Sequence, residues 1–163
     1  MSVTHVSKDP EALTLSMTAE FAAPVDRVWQ VWADPRQLER WWGPPAHPAT
    51  FVAHDLTPGG RMHYFMTSPD GDRYHGCWKV IAVDPPHALE VEDAFADEEG
   101  NPNLEMPVSR MRVVLTAAGN GTRMEAVTTF ASREALEQVL EMGVEEGMTL
   151  AVDQIDGILA GDG

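Results

Sequence analysis

Residues 13–21 alternate. Leu13, Leu15, Met17, Ala19 and Phe21 fall on one face, and Thr14, Ser16, Thr18 and Glu20 on the other. A period of two with one polar face predicts a strand that buries one side and wets the other. The period then changes. Val25, Val28, Trp29 and Trp32 recur at i, i+3, i+4 and i+7 behind Pro24, a residue suited to a first helical turn. Asp34-Pro35 ends that helix, because the residue before a proline is pushed out of the helical region. The same pair caps a second short helix carrying Leu38, Trp41 and Trp42, which stops at Gly43-Pro44-Pro45. From residue 50 to 130 the pattern is β. Strands are expected at 50–56, 61–67, 73–83, 87–95, 110–116 and 122–130, separated by turns such as Ser68-Pro69-Asp70-Gly71 and Ala118-Gly119-Asn120-Gly121. Residues 96–106, acidic and turn-rich, read as an exposed loop. Ser132 caps a final helix of about 25 residues, roughly 37 Å long. Its apolar stripe holds Leu136, Val139, Leu140, Gly143, Gly147, Leu150, Ala151, Gln154 and Ile158.

Short connections make the sheet antiparallel, and its apolar face must be buried against something. The only element long enough is the last helix. The expected fold is α+β: a curved antiparallel sheet of about six to seven strands gripping a long C-terminal helix, with two short helices after the first strand. A single domain is expected over 1–163, with its core at about 12–160 and a flexible lead over 1–11. Composition adds exclusions. With 26 acidic against 11 basic residues the formal net charge is −15, which repels phosphate, so nucleic acid is not expected as a partner. The charge itself is read as solubility. The lone Cys77 permits neither an intramolecular disulfide nor a zinc site of paired cysteines. No apolar stretch approaches the ~20 residues of a membrane span, and the N-terminus lacks the apolar core of a signal peptide. A cytoplasmic protein with no membrane association is the expectation.

The order of elements, together with specific residues, resembles the START-like (SRPBCC, helix-grip) superfamily. The nearest branch is the single-domain bacterial proteins related to the C-terminal domain of the activator of the ninety-kilodalton heat-shock protein ATPase. The resemblance is carried by Ala23-Pro24-Val25-Asp26-Arg27-Val28-Trp29, Asp34-Pro35 with Leu38 and Trp41-Trp42-Gly43, and Asp55-Leu56-Thr57-Pro58-Gly59-Gly60. Tyr64 with Met66, Pro69-Asp70-Gly71, Gly76, Pro85-Pro86 and Gly121-Thr122-Arg123 complete it. It implies a ligand cavity between sheet and helix. One departure stands out: where the family's last helix often carries Gly-Trp, this chain has Gly147-Met148, a more flexible and polarisable wall.

Ten residues are candidates for the cavity: Trp41, Trp42, Met62, Tyr64, Met66, Trp78, Gly143, Gly147, Met148 and Gln154. Trp41 and Trp42 either gate one end or plug the core there. Met62, Tyr64 and Met66 share one strand face and, with Trp78 nearby, form either a soft wall for a flat apolar molecule or ordinary core. Gly143 and Gly147 either admit close packing or leave volume for a guest. Gln154, on an apolar stripe, needs a partner in a ligand, a water or a strand side chain. No residue is assigned as catalytic, and no metal or cofactor is expected. The six histidines are scattered, Ser68 and Ser132 lack a nucleophile motif, and Cys77 reads as a structural thiol. Asp93, Asp97, Glu98 and Glu99 read as a solvated acidic loop. The leading expectation is a protein that binds a small hydrophobic, aromatic or lipid-like molecule. Two alternatives stand beside it. One is a cyclase- or aromatase-like enzyme in the same cavity, using Tyr64 as the proton-transferring group, or His63 or His75 if the register differs. The other is an interaction module contacting a chaperone or a second copy of the chain.

Overall fold

The computed structural model describes residues 3–161. Eight strands, β1 (Val3–Asp9), β2 (Thr14–Phe21), β3 (Ala49–Ala53), β4 (Arg61–Thr67), β5 (Arg73–Asp84), β6 (Ala88–Phe95), β7 (Val108–Ala118) and β8 (Gly121–Phe130), form one antiparallel sheet in the order β1-β2-β8-β7-β6-β5-β4-β3. Between β2 and β3 lie α1 (Val25–Ala33) and α2 (Pro35–Trp41), and after β8 come α3 (Arg133–Glu141), α4 (Val144–Asp153) and α5 (Ile155–Gly161). This is the expected helix-grip architecture with one strand more. The extra strand is β1, in the stretch expected to be a flexible lead. It pairs along the edge of β2 and buries little, so side-chain patterning carries almost no trace of it.

The local chemistry follows the sequence closely. Leu15, Met17, Ala19 and Phe21 all point into the core. Asp34 accepts a hydrogen bond from the Arg36 N–H and caps α2, with Pro35 in its first turn. Ser132 accepts from the Ala135 N–H and caps α3. The C-terminal helix differs in being segmented. Gly143 adopts φ +82°, left-handed backbone that favours glycine, and separates α3 from α4. Gln154 ends α4, with its backbone N–H turned to the Ala151 and Val152 carbonyls. A wheel drawn at a constant 100° per residue cannot register either break, because both glycine and glutamine satisfy the apolar stripe's spacing while changing the backbone.

Packing divides the interior into two halves. Toward α1, α2 and α5 the core is solid: Val28, Leu38, Trp78, Met62, Val80, Leu115, Met124, Ile155 and Ile158 are each at most 2% exposed. Toward α3 and the start of α4 the sheet and the helices stand apart. Among the described residues no helix is long and apolar enough to cross a membrane, and no group of three His, Cys, Asp or Glu side chains could hold a metal ion.

Candidate functional site

The gap between sheet and helices is a cavity of about 350 Å³, within the ~300–1,000 Å³ range of small-molecule sites. Its floor is the inner face of the sheet: Leu15 and Met17 on β2, Ala126 and Thr128 on β8, Ser109 and Met111 on β7, Asp93 on β6, and Tyr64 and Met66 on β4. Its roof is Val139, Met142, Gly143, Val144, Gly147, Met148, Ala151 and Val152 of α3, α4 and the break between them. Trp32, Trp41 and Trp42 close the end next to the solid core. Exposed Tyr74, Phe95 and Met142 lie at the opposite side, where the β4–β5 hairpin, the end of β6 and the helix break meet solvent.

Seven of the ten candidates line this space: Trp41, Trp42, Tyr64, Met66, Gly143, Gly147 and Met148. Trp41 is also a plug, 1% exposed, with its indole donating to the Val31 carbonyl at 2.8 Å. Trp41 packs edge-to-face on Trp32 with ring centroids 4.7 Å apart, and Trp42 does the same on Trp78 at 4.7 Å. Such contacts fix ring orientation as well as burying area. Met62 and Trp78 are not on the wall; they lie in the solid core beside it. Gln154 is not on the wall either. Its amide donates to the Gly43 carbonyl at 2.7 Å and the Trp41 carbonyl at 3.3 Å, pinning the end of α2 to the α4–α5 junction. The partner of this half-buried amide is therefore backbone, an option that spacing cannot foresee. Replacing Gln154 with leucine is expected to cost about 1–3 kcal/mol in chemical denaturation, because the Gly43 carbonyl loses its donor.

Sequence reasoning missed the central polar group. Asp93, expected in a solvated acidic loop, is instead the inward residue near the end of β6. It follows Leu89 and Val91 at a period of two, and both of these are fully buried. That parity was the available signal; the run of neighbouring acids hid it. Asp93 is half-buried and lines the cavity. The Tyr64 hydroxyl donates to Asp93 Oδ1 at 3.2 Å. Burial pushes the Asp93 carboxyl up to about 7, against the pull of the Tyr64 hydrogen bond. The Tyr64 hydroxyl is held well above its ordinary value, first by burial and then by the Asp93 charge. The cavity thus has a carboxyl–phenol pair in a mainly apolar wall, which also carries Ser109, Thr128 and His75.

Gly76 makes the pair possible. It lies opposite Tyr64 in the β4–β5 register, and a Cβ there would run into the Tyr64 ring and hydroxyl. Tyr64 lies flat across this gap and so reaches β6. Replacing Gly76 with alanine is expected to force the ring off the strand, break its bond to Asp93 and destabilise the fold by about 1–3 kcal/mol in denaturant titration.

The histidines fall elsewhere. His63 Nε2 lies 2.8 Å from His75 Nδ1, and burial, then the neighbouring His75, lowers the basicity of His63. Gly100 of the acidic loop sits against the His63 ring, on the sheet face opposite Tyr64. His75 borders the cavity, but its ring is tied to His63. Half-buried Cys77 has its thiol pushed up, by burial and then by Asp93, which is the wrong direction for a nucleophile.

A model of the family described as Activator of Hsp90 ATPase homolog 1-like protein matches residues 22–160. The chain belongs to that family. Several solved structures are similar to it: a protein from Mycobacterium smegmatis is 58% identical, with a TM-score of 0.89 and 96% of each chain covered. A protein from Arthrobacter aurescens is 50% identical, with a TM-score of 0.93, covering 98% of this chain and 92% of that one. A Staphylococcus epidermidis protein at 24% identity and a TM-score of 0.83 shares the fold, with 96% of this chain and 94% of that one covered. No curated protein matches the chain significantly. Within this Activator of Hsp90 ATPase homolog 1-like family, and hence the START-like superfamily, the chain's Gly147-Met148 forms part of the cavity roof.

Proposed function

We propose that this protein binds a small, mainly apolar molecule in the cavity between the sheet and α3–α4, with the Tyr64–Asp93 pair orienting it. The observation that carries this reading is a 350 Å³ hollow walled by aromatic, methionine and aliphatic side chains around a single carboxyl–phenol pair. A fold that needed only stability would fill such a space, since voids forfeit dispersion contacts. Burial of apolar ligand surface supplies roughly 25 cal/mol per Å² before the costs of association are deducted. The family description names an activator of a chaperone ATPase; the cavity favours the small-molecule reading over a chaperone contact. Native mass spectrometry of freshly purified protein, with thermal shifts against an apolar ligand library, tests it. The expected result is a co-purifying mass or stabilisation by a subset of apolar compounds. Absence of both contradicts the proposal.

One observation favours catalysis in the same cavity as a second reading. A half-buried carboxyl that titrates near neutrality beside a phenol is an arrangement suited to proton transfer. On this reading Asp93, with Tyr64 positioning it, would be the catalytic group of a cyclase-like reaction. Turnover of the bound ligand by wild type but not by Asp93→Asn would support it.

A further inference from the structure

The fully buried, unpartnered side-chain polar atoms at and beside the cavity are all donors. Among the described residues, the buried side-chain polar atoms without a partner in hydrogen-bonding geometry are the indole nitrogens of Trp32, Trp42 and Trp78; the Trp42 indole faces the Tyr64 hydroxyl and the Trp78 indole faces the Asp93 carboxyl without closing a bond to either. Each is a donor and none can accept. Trp32 and Trp42 line the cavity, and Trp42 packs against the Tyr64 ring at 6.0 Å between centroids. The Tyr64 proton is already given to Asp93. No Lys or Arg is among the lining residues, so no cation there compensates an ionised Asp93, and its neutral form adds one further donor.

We propose that the ligand presents a neutral carbonyl oxygen to the Tyr64–Asp93 end of the cavity, accepting hydrogen bonds from the Asp93 carboxyl and the Trp42 indole. This rests on the reading of the cavity as a ligand site. The other chemistries fit less well. An anion would face Asp93 with no cation beside it. A cation would pair with an ionised Asp93 but leave the indole donors unsatisfied. A pure hydrocarbon would leave the Trp42 indole and the Asp93 carboxyl proton unsatisfied, and desolvated donors without acceptors are costly. Ketones, esters, amides and quinones share the required atom.

The groups facing Asp93 make binding depend on pH. From β4 there is Tyr64, which holds its own proton far into alkaline solution. From β5 there is Trp78, directly opposite, with the Cys77 thiol on the other face of the sheet; from β7 there is Ser109, also opposite. Helices α3 and α4 contribute only uncharged lining residues, and the His75 ring is engaged by His63. Asp93 is therefore the group whose ionisation removes a donor and places a negative charge against the carbonyl.

The test is equilibrium dialysis of the full chain with 2-acetylnaphthalene and its isostere lacking the oxygen, 2-ethylnaphthalene. At about pH 6 the ketone is expected to bind at least ~10-fold more tightly, the kind of discrimination that a buried hydrogen-bonding site makes. At about pH 8.5 the preference is expected to shrink toward parity as Asp93 ionises. Asp93→Asn, whose amide remains a donor, is expected to keep the preference at both pH values. Equal binding of the two probes at the lower pH overturns the carbonyl assignment and leaves the cavity reading standing. So does tighter binding of 2-naphthylmethylamine than of either, strengthening at the higher pH. The same pH response in wild type and Asp93→Asn also overturns it. Failure of every probe to bind overturns both readings.

Discussion

Replacing Gly147 with phenylalanine is expected to weaken uptake of apolar ligands at least ~100-fold while leaving the fold at least as stable as before. Gly147 is in the middle of α4, on the cavity roof, and a Cβ built there meets nothing within 4 Å. Its backbone is ordinary helix, so no conformational penalty accompanies a side chain. Removing a helical glycine is worth about 0.5–1 kcal/mol in propensity, and a benzyl group entering an apolar hollow gains contacts that the empty space lacks. The added ring occupies volume that a guest needs, so affinity for any apolar probe is expected to drop by at least ~100-fold, or about 2.7 kcal/mol. Gly157→Ala is the matched control: Gly157 is also helical with open space around it, but it does not line the cavity, and this variant should bind as wild type does. Undiminished binding by Gly147→Phe would place the guest somewhere other than the hollow.

The second large effect concerns stability against pH. In the native protein the Asp93 carboxyl titrates at about 7, against 3.8 for an unperturbed aspartate. Between those values the folded chain holds a proton that the unfolded chain has released, so wild-type stability falls as pH rises and levels off above about pH 7. An amide in place of this carboxyl does not titrate and removes the dependence. The stability of Asp93→Asn relative to wild type should therefore grow from near zero at about pH 4 to a gain on the order of 2–4 kcal/mol at about pH 8. Denaturant titrations of both proteins across that range give the difference directly. A constant offset at all pH values would mean that Asp93 is solvated and that the cavity lacks its polar end.

The extent to which the sequence disclosed this site follows from what each signal measures. Alternation placed β2 on the correct face and grouped Met62, Tyr64 and Met66 on one face of β4, but which face of β4 turns inward stayed open, with His63 as the alternative. Capping chemistry at Asp34 and Ser132 identified two helix starts because it depends only on neighbouring residues. Signals failed where the deciding partner is distant in the chain. Gln154 satisfies its amide on carbonyls of Trp41 and Gly43, more than a hundred positions away. Met62 has the same strand parity as Tyr64, yet only depth along the strand separates solid core from cavity wall. Asp93 was hidden by Asp97, Glu98 and Glu99 beyond it; its period-two relation to Leu89 and Val91 outweighs local charge. Gly143 fits the apolar stripe of an unbroken helix, while its left-handed backbone makes it the break between α3 and α4.

Methyl NMR of protein labelled at methionine offers the most direct check on a guest-holding hollow. Met17, Met66, Met111, Met142 and Met148 border the cavity, whereas Met62, Met106 and Met124 do not. On adding an apolar ligand, the resonances of the first group are expected to move together in a saturable manner, with those of the second group nearly stationary. Uniform small shifts across both groups, or saturable shifts confined to the second, would contradict a ligand seated between the sheet and α4.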